Sequence, residues 1–584
     1  LEEIKSLTDK LKDNPAGLIH ELVATTNKAM APKYQRWQRY RRKLRNEWYI
    51  NNQWSQRPLY STNYLRSKVE TVKAYISQQL PVPEVKGQER NDDIAAEVKN
   101  NVLQWALRMA KWEKKARELA HEAEVCGIAW IKPRLDPDAF NGQGIVVYDV
   151  IPSENVKVDP KATEPGNARW IIQHIPDVSV EEIEAFYGKK VIGSDKEDTK
   201  NDNRPDEQKA STPGQTCDVY EAYIRDYSME TAEEPVEQET EQGVVQVLAK
   251  VKRRKYPNWR MIVVAGNTVL ADKPVDRLPL KPYWPTDETG NMYPPSIVEM
   301  AEPLQDLADA IDEQIYRNIR MTVKRQRIVS SATGLTRNMI TDAAGEVYMV
   351  SGDIDKAMKW DEPTLLGQEI FAYRKEIEER ISIVTGIFSV AQGKPEFNIQ
   401  TYSTVAALQD ASTSTIKMRL KLLAETAAEV AQETLALIKE NFGPYREIKI
   451  AGEGVYRIID EYPAELQEAT EEEKRAWMEQ NGVDLVLSDI DELHDIVVQA
   501  ENALPADRSA RAQVSLKLME TPAEDGLPVI TRKALLDALD YPKASELIRE
   551  IEELKNQQTM QQQQEMLMQQ QLMNQPGIDG GLQV

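Results

Sequence analysis

Hydrophobic positions spaced by three and four dominate the middle of the chain. Ile297, Met300, Ala301, Leu304, Leu307, Ala308, Ile311, Ile315 and Ile319 fall on one face of a helix predicted from Ser296 to about Lys324. Pro294 and Pro295 suit its first turn, where a missing N–H costs nothing, and Pro303 predicts a kink or a later start. Gln305, Asp309, Asp312, Glu313 and Arg317 occupy the opposite face. At roughly 30 residues the helix is about 45 Å long, too long for a compact core, so it is expected to pack against copies of itself. Its acids come early (Glu299, Glu302, Asp306, Asp309) and its bases late (Arg317, Arg320, Lys324, Arg325), complementing the helix dipole. A second helix is predicted from about Leu365 to Thr385, followed by a Gly-bounded loop, Gly386 to Tyr402. A third and unusually long helix then runs from Ser403 to Asn441. It is small and polar at first (Ser403, Thr404, Ser412 to Thr415) and Leu- and Ala-rich from Leu420 to Ile438, predicting a change of environment along its length. Gly443-Pro444 ends it.

Elsewhere the period changes. Residues 1 to about 130 read as helical, including one core helix from Ile94 to Glu124 with Val102, Leu103, Leu107, Trp112 and Leu119. From Gly127 to Val158 it moves toward two, with Ile128, Trp130 and Lys132 and then Ile145 to Ile151, broken by Asp136-Pro137 and Asn141-Gly142. This predicts a hairpin. Residues 192–218 read as an exposed or disordered loop. Tyr220 to Tyr227 and Val244 to Val251 are predicted strands around an acidic link, Glu230 to Glu241, and Trp259 to Ala271 is a hairpin about Gly266-Asn267. Between the first two long helices, an insert at 327–363 has strand-like runs at Arg327 to Ser330 and Glu346 to Val350. After Gly443, short strands are expected at Glu447 to Ile450, Val455 to Ile459 and Asp484 to Leu487. Leu504 to Glu553 reads as short helices split by Pro522, Pro528 and Pro542, and Asn556 to Gln575 is Gln- and Met-rich. The fold class is therefore α+β.

Composition narrows the function. A net charge of −22 over 584 residues argues against coating nucleic acid, which needs a basic surface. Between Thr25 and Asn46 there is no acid, while Lys28, Lys33, Arg36, Arg39, Arg41, Arg42, Lys43 and Arg45 interleave with Tyr34, Trp37 and Tyr40. A basic helix paired with acidic neighbours is the first reading and a nucleic-acid-facing patch the second. Lys252-Arg253-Arg254-Lys255 reads first as a solvated strand end. Two cysteines, Cys126 and Cys217, give no disulfide framework, and no apolar run reaches the length of a membrane span; a soluble, intracellular chain is expected. Gly188-Lys189 and Gly393-Lys394 are followed by Lys and Pro, so neither is a nucleotide-cradling loop. His20, His121, His174 and His494 are scattered without metal-ligand spacing, and Cys126, just before a strand, reads as core. No catalytic constellation, cofactor or metal is expected.

Several short motifs carry a resemblance through their order. They are Asn63-Tyr64-Leu65-Arg66-Ser67-Lys68-Val69-Glu70, Ile151-Pro152-Ser153-Glu154-Asn155 with Asp159-Pro160, and Val178 to Ile183 with Tyr187-Gly188. Tyr293-Pro294-Pro295-Ser296 and Glu302-Pro303-Leu304-Gln305 follow, then Thr385-Gly386-Ile387 and Gly393-Lys394-Pro395. Over roughly residues 60 to 440 the chain resembles tailed-bacteriophage portal proteins, the head-to-tail connectors. The resemblance implies a portal-type ring subunit: a wing (1–292), a first stem helix (293–326), a clip (327–363), a second stem helix (364–386), a tunnel loop (387–402) and a tunnel helix (403–442). The C-terminal part of the wing (443–503), a helical crown (504–555) and a tail that is a helical barrel or disordered (556–584) complete it. Ile387, Phe388, Val390, Gln392, Lys394, Glu396, Phe397, Asn398 and Gln400 would then form the channel constriction. Arg317, Arg320, Lys324, Arg325 and Arg327, at the stem end and clip, would meet terminase, an adaptor or DNA, in competition with plain dipole complementation. The implied assembly is a dodecamer at one capsid vertex, passing double-stranded DNA. Its implied partners are the terminase large subunit, major capsid and scaffold proteins, and head-completion or tail adaptors, with no membrane. It would be found in the virion and, during assembly, in the host cytoplasm. A self-associating helical scaffold or ring that carries no DNA is the alternative.

Overall fold

The computed structural model describes residues 7–47, 61–86, 93–193, 215–240, 243–323, 366–388, 402–443, 445–450, 454–466, 471–490 and 495–499, with 327–331, 358–360 and a few single positions. The crown, the Gln/Met-rich tail and residues 389–401 lie outside them. Helices α1 (Leu7–Asp13) and α2 (Pro15–Leu44) open the chain. Asn14 caps α2 by accepting the Gly17 N–H at 2.9 Å, and Pro15 takes the first turn. Then come α3 (Tyr64–Gln78), β1 (Val82–Lys86), α4 (Asp93–Met109) and α5 (Trp112–Cys126).

Two readings of this region need correction. The stretch to residue 130 is not all helical: Pro81 and Pro83 exclude a helix, and β1 pairs antiparallel with a strand at Asp495–Gln499 that no local pattern announces. The predicted helix from Ile94 to Glu124 is two helices, broken where Lys111 adopts a left-handed φ of 56°. This turn lets both α4 and α5 bury an apolar face, one with Val102 and Leu103 and the other with Ala116 and Leu119.

The predicted hairpin is present as β2 (Ala129–Asp136) and β3 (Ile145–Ile151), joined through the short α6 (Ala139–Gly142). Next are β4 (Val156–Val158), β5 (Trp170–Ser179), α7 (Val180–Tyr187) and β6 (Thr216–Ile224). The acidic link is itself a strand, a further correction: β7 (Met229–Thr240) pairs along its whole length with β8 (Gly243–Arg254). Its register sets Glu230 opposite Arg253, and attraction across that pair offsets the low strand propensity of glutamate. Arg253 meets Glu230 at 2.9 Å and the Arg254 guanidinium lies over Tyr227, so the basic run is a strand end, as first read.

The hairpin β9 (Trp259–Ala265) and β10 (Thr268–Val275) turns at Gly266 and completes a five-stranded sheet of order β10-β9-β6-β5-β4. Strand β11 (Lys281–Tyr283) joins β2 and β3. The three long helices follow as α8 (Ile297–Val323), α9 (Gln368–Thr385) and α10 (Tyr402–Asn441). Helix α8 runs unbroken through Pro303, so the later start is not taken. In the insert, β12 (Arg327–Val329) pairs with β13 (Met358–Trp360). Of the expected strand from Glu346 to Val350 only Met349 is among the described residues, and it is in no strand. The chain continues with β14 (Tyr445–Ile450), β15 (Gly454–Ile459), α11 (Glu471–Asn481), β16 (Leu485–Val486) and β17 (Asp495–Gln499).

Two apolar clusters organise these elements. The apolar half of α10, from Ile416 to Ile438, is the spine of one, against α4, α5, β2 and β3. Within it Glu124 and Arg419 form a fully buried ion pair at 3.0 Å, and Tyr148 and Thr434 share a hydrogen bond of 2.9 Å. The other gathers Trp37 and Tyr40 of α2, Leu65 and Val69 of α3, Val298 and Ala301 of α8, and Ile377 and Ile381 of α9. That second cluster positions the functional region.

Candidate functional site

The start of α8 carries acids because its free N–H groups attract them. Ser296 caps it, its hydroxyl accepting the Glu299 N–H at 3.0 Å. The basic helix α2 lies alongside. Arg36 meets Glu299 at 2.7 Å, Arg39 grips both oxygens of Glu302 at 2.7 Å, and Lys43 reaches Glu302 at 2.7 Å and Asp306 at 2.6 Å. These rungs advance by three and four residues on both helices, so α2 and α8 run side by side in the same direction. Arg36 and Arg39 are partly exposed and contribute little each, whereas Lys43 is buried. The first reading of the basic segment therefore holds for Arg36, Arg39, Arg41 and Lys43. Lys28 and Arg42 are exposed.

The short motifs converge on this joint. Gln305 accepts the Tyr64 N–H at 3.0 Å and donates to the Thr62 carbonyl at 3.0 Å, while Asn63 caps α3 and donates to the Lys43 carbonyl at 2.8 Å. Tyr293 packs on Trp37, and its carbonyl accepts from Lys33 at 2.6 Å. At Gly127, φ is 81° and a Cβ would lie 2.0 Å from the Pro294 carbonyl oxygen, so only glycine lets the approach to α8 pass. Behind α2, Arg41 is clamped by Glu154 through two bonds of 2.7 Å and by Glu122 at 2.5 Å; Glu122 also accepts from Ser153 N at 3.0 Å and Oγ at 3.1 Å. Burial alone raises a carboxyl, but Arg41 and Ser153 outweigh it and hold Glu122 below the ordinary range. Burial pushes the adjacent Cys126 thiol well up, which makes it core rather than nucleophile, as expected.

Beyond the joint, α8 and α9 form a hairpin. Arg374 clamps Asp312 at 2.5 and 2.7 Å and donates to Tyr64 at 3.0 Å. After Ala308 no residue of α8 is buried; Ile319 is 53% and Val323 76% exposed. Phe371 and Ile383 of α9 are exposed as well. Arg317 pairs with Glu313 one turn back, Arg320 is exposed, Arg327 opens β12, and Lys324 and Arg325 lie outside the described residues. At the other end of α9, Gly386 has a φ of 68° with Thr415 against it. Ile387 is fully buried, and its carbonyl accepts from the buried Lys68 at 2.6 Å; Phe388 is partly exposed. Val390, Gln392, Lys394, Glu396, Phe397, Asn398 and Gln400 lie outside the described residues.

The model of the family described as Phage P22-like portal protein matches residues 28–580. The chain belongs to that family. No curated protein matches its sequence significantly. A portal protein is a structural component of the phage virion, serving genome packaging and the head-to-tail connection, and its family is not enzymatic. Among the described residues no cluster of His, Cys, Asp or Glu is arranged to hold a metal ion, and no helix is long and apolar enough to cross a membrane.

Sequence reasoning missed Lys68 and Lys157 as buried cations of the portal joint. Their signal was position inside or beside the quoted motifs, since Lys68 sits in Asn63 to Glu70. Lys157 lies under the Tyr34 ring at 4.4 Å and donates to the Glu154 carbonyl; burial lowers it to about 8, with Glu154 opposing. Between pH 8 and its ordinary value near 10.5 the unfolded chain keeps a proton that the folded chain releases, so stability rises with pH across that window. Lys157→Met is therefore expected to stabilise the subunit at pH 7 by roughly 1–3 kcal/mol, with the gain shrinking above pH 8. Thermal melts at pH 7 and 9 check this; a lower melting temperature at pH 7 contradicts it.

Proposed function

We propose that the chain closes into a dodecameric ring at one capsid vertex, through which double-stranded DNA is packaged and later released. In this reading α8 and α9 are the stem, the strand pair at the stem's end is the clip that docks terminase and then adaptor proteins, and α10 is the tunnel helix. The 387–402 segment forms the constriction, rooted by Ile387. The observation that carries the reading is the stem itself. It is a two-helix hairpin, anchored at its base and left with uncovered apolar residues from Ile319 to Val323 and at Phe371 and Ile383. Side-by-side subunits in a ring cover both flanks of such a hairpin.

Native mass measurement with negative-stain images tests it: closed rings with an axial hole are expected, and a monomer or dimer at every concentration overturns it. Changing Arg320, Lys324 and Arg325 together to Glu is expected to reduce DNA packaging in an assembly assay while the ring persists. Unchanged packaging would leave these residues as complement to the helix dipole alone.

A further inference from the structure

Lys114, Arg117, Glu118, His121 and Glu122 recur at three and four residues along one face of α5, and with Lys73 of α3 and Pro152 they line a cleft of about 380 Å³. Most charges there are matched. Glu118 serves Lys114 at 3.7 Å and Lys115 at 3.2 Å, Glu70 serves Lys73 at 3.3 Å, and Glu122 is held by Arg41. Arg117 is the exception. It is half-buried and has no ion pair or hydrogen bond with any described residue. Beside it, His121 Nδ1 is buried with no hydrogen-bond partner. A guanidinium cannot shed its proton to relieve this, so a half-buried one without a partner is a standing cost that a bound anion removes. We infer that the cleft binds a phosphoryl oxyanion. Arg117 supplies the two-pronged contact, His121 Nδ1 a donor, and Lys73 and Lys114 the flanking positive charge.

A phosphoryl group suits three converging cations better than a single carboxylate, because its three oxygens and greater charge engage them together. The cleft is much larger than a phosphate ion, so the group can be carried on a bigger molecule. In the empty cleft burial and Lys73 lower the His121 pKa, and an anion beside it reverses that trend, which makes the imidazole a better donor once the site is filled. The phosphoryl group has two possible sources, free phosphate or the backbone of DNA.

Calorimetric titration of the full chain with inorganic phosphate, and separately with a short duplex DNA, at ionic strength held with chloride, tests the assignment. At least one titrant is expected to saturate, and Arg117→Gln to weaken it at least tenfold, with a smaller loss for Lys73→Gln and none for the exposed Lys28→Gln. Saturation by phosphate assigns the free ion, and saturation by duplex alone assigns the DNA backbone. Absence of binding by both, or the same affinity in Arg117→Gln and Lys73→Gln as in the unaltered chain, overturns the inference. Arg117 makes no internal polar contact, so its variant is expected to melt with the parent, and Lys73→Gln gives an independent reading.

Discussion

Arg41→Ala is expected to destabilise the portal subunit by about 3–5 kcal/mol, the larger of the single-residue effects on stability. The substitution removes the guanidinium that neutralises both Glu122 and Glu154 and leaves two largely buried carboxylates without it. Lys157 does not replace it, because its ammonium is turned to the Glu154 carbonyl. The loss falls where α2, α5 and the Pro152-Ser153-Glu154 turn meet, so it loosens the seat of α8 as well. Thermal unfolding followed by circular dichroism checks it, with the exposed neighbour Arg42→Ala as control, expected within about 0.5 kcal/mol of the parent. A melting temperature for Arg41→Ala equal to that control would show that the cluster contributes nothing. The same cluster gives an acid dependence. Glu122 is depressed in the folded subunit, so its stabilisation is present above the ordinary carboxylate pKa and lost as pH falls through the lowered value.

The second large effect concerns assembly. Ile319→Asp combined with Val323→Asp is expected to abolish ring closure and leave the folded monomer intact. Both side chains are exposed on the last turns of α8, so they add nothing to the core of the isolated subunit. In the proposed ring each copy brings them against its neighbour, where an unpaired carboxylate meets an apolar surface at every interface. Repeated around a closed ring, even a modest penalty per interface is multiplied. Native mass is the readout, with circular dichroism confirming the fold. Rings that persist with unchanged mass would place the subunit interface elsewhere and remove the main support for the stem reading.

What the sequence made legible was whatever is encoded by neighbours along the chain. The spacing of Ile297 to Ile319 and the Gly/Pro-free run before Gly443 marked α8 and α10 nearly to their ends. The Asn-Gly and Gly-Asn turns marked two hairpins, because periodicity and turn chemistry are local. Glutamate-rich β7 was not legible, since its strand state depends on β8 opposite it. Nor was β1, whose partner is β17 at the far end of the described chain. The site divides the same way. The basic run between Thr25 and Asn46 and the acidic start of α8 were both visible, and so was the possibility that a basic helix pairs with acids.

The sequence by itself determined the spans of α8 and α10, the α+β class, the charge excess and the motif order that places the chain among portal proteins. Only the tertiary structure decided that Arg36, Arg39 and Lys43 meet Glu299, Glu302 and Asp306, that Arg41 is shared by Glu122 and Glu154, and that Lys68 holds the Ile387 carbonyl. Long-range ion pairs have no period and no local signature. They depend on which surfaces the apolar faces bring together, and a cation reads the same in sequence whether it ends in water or in the core.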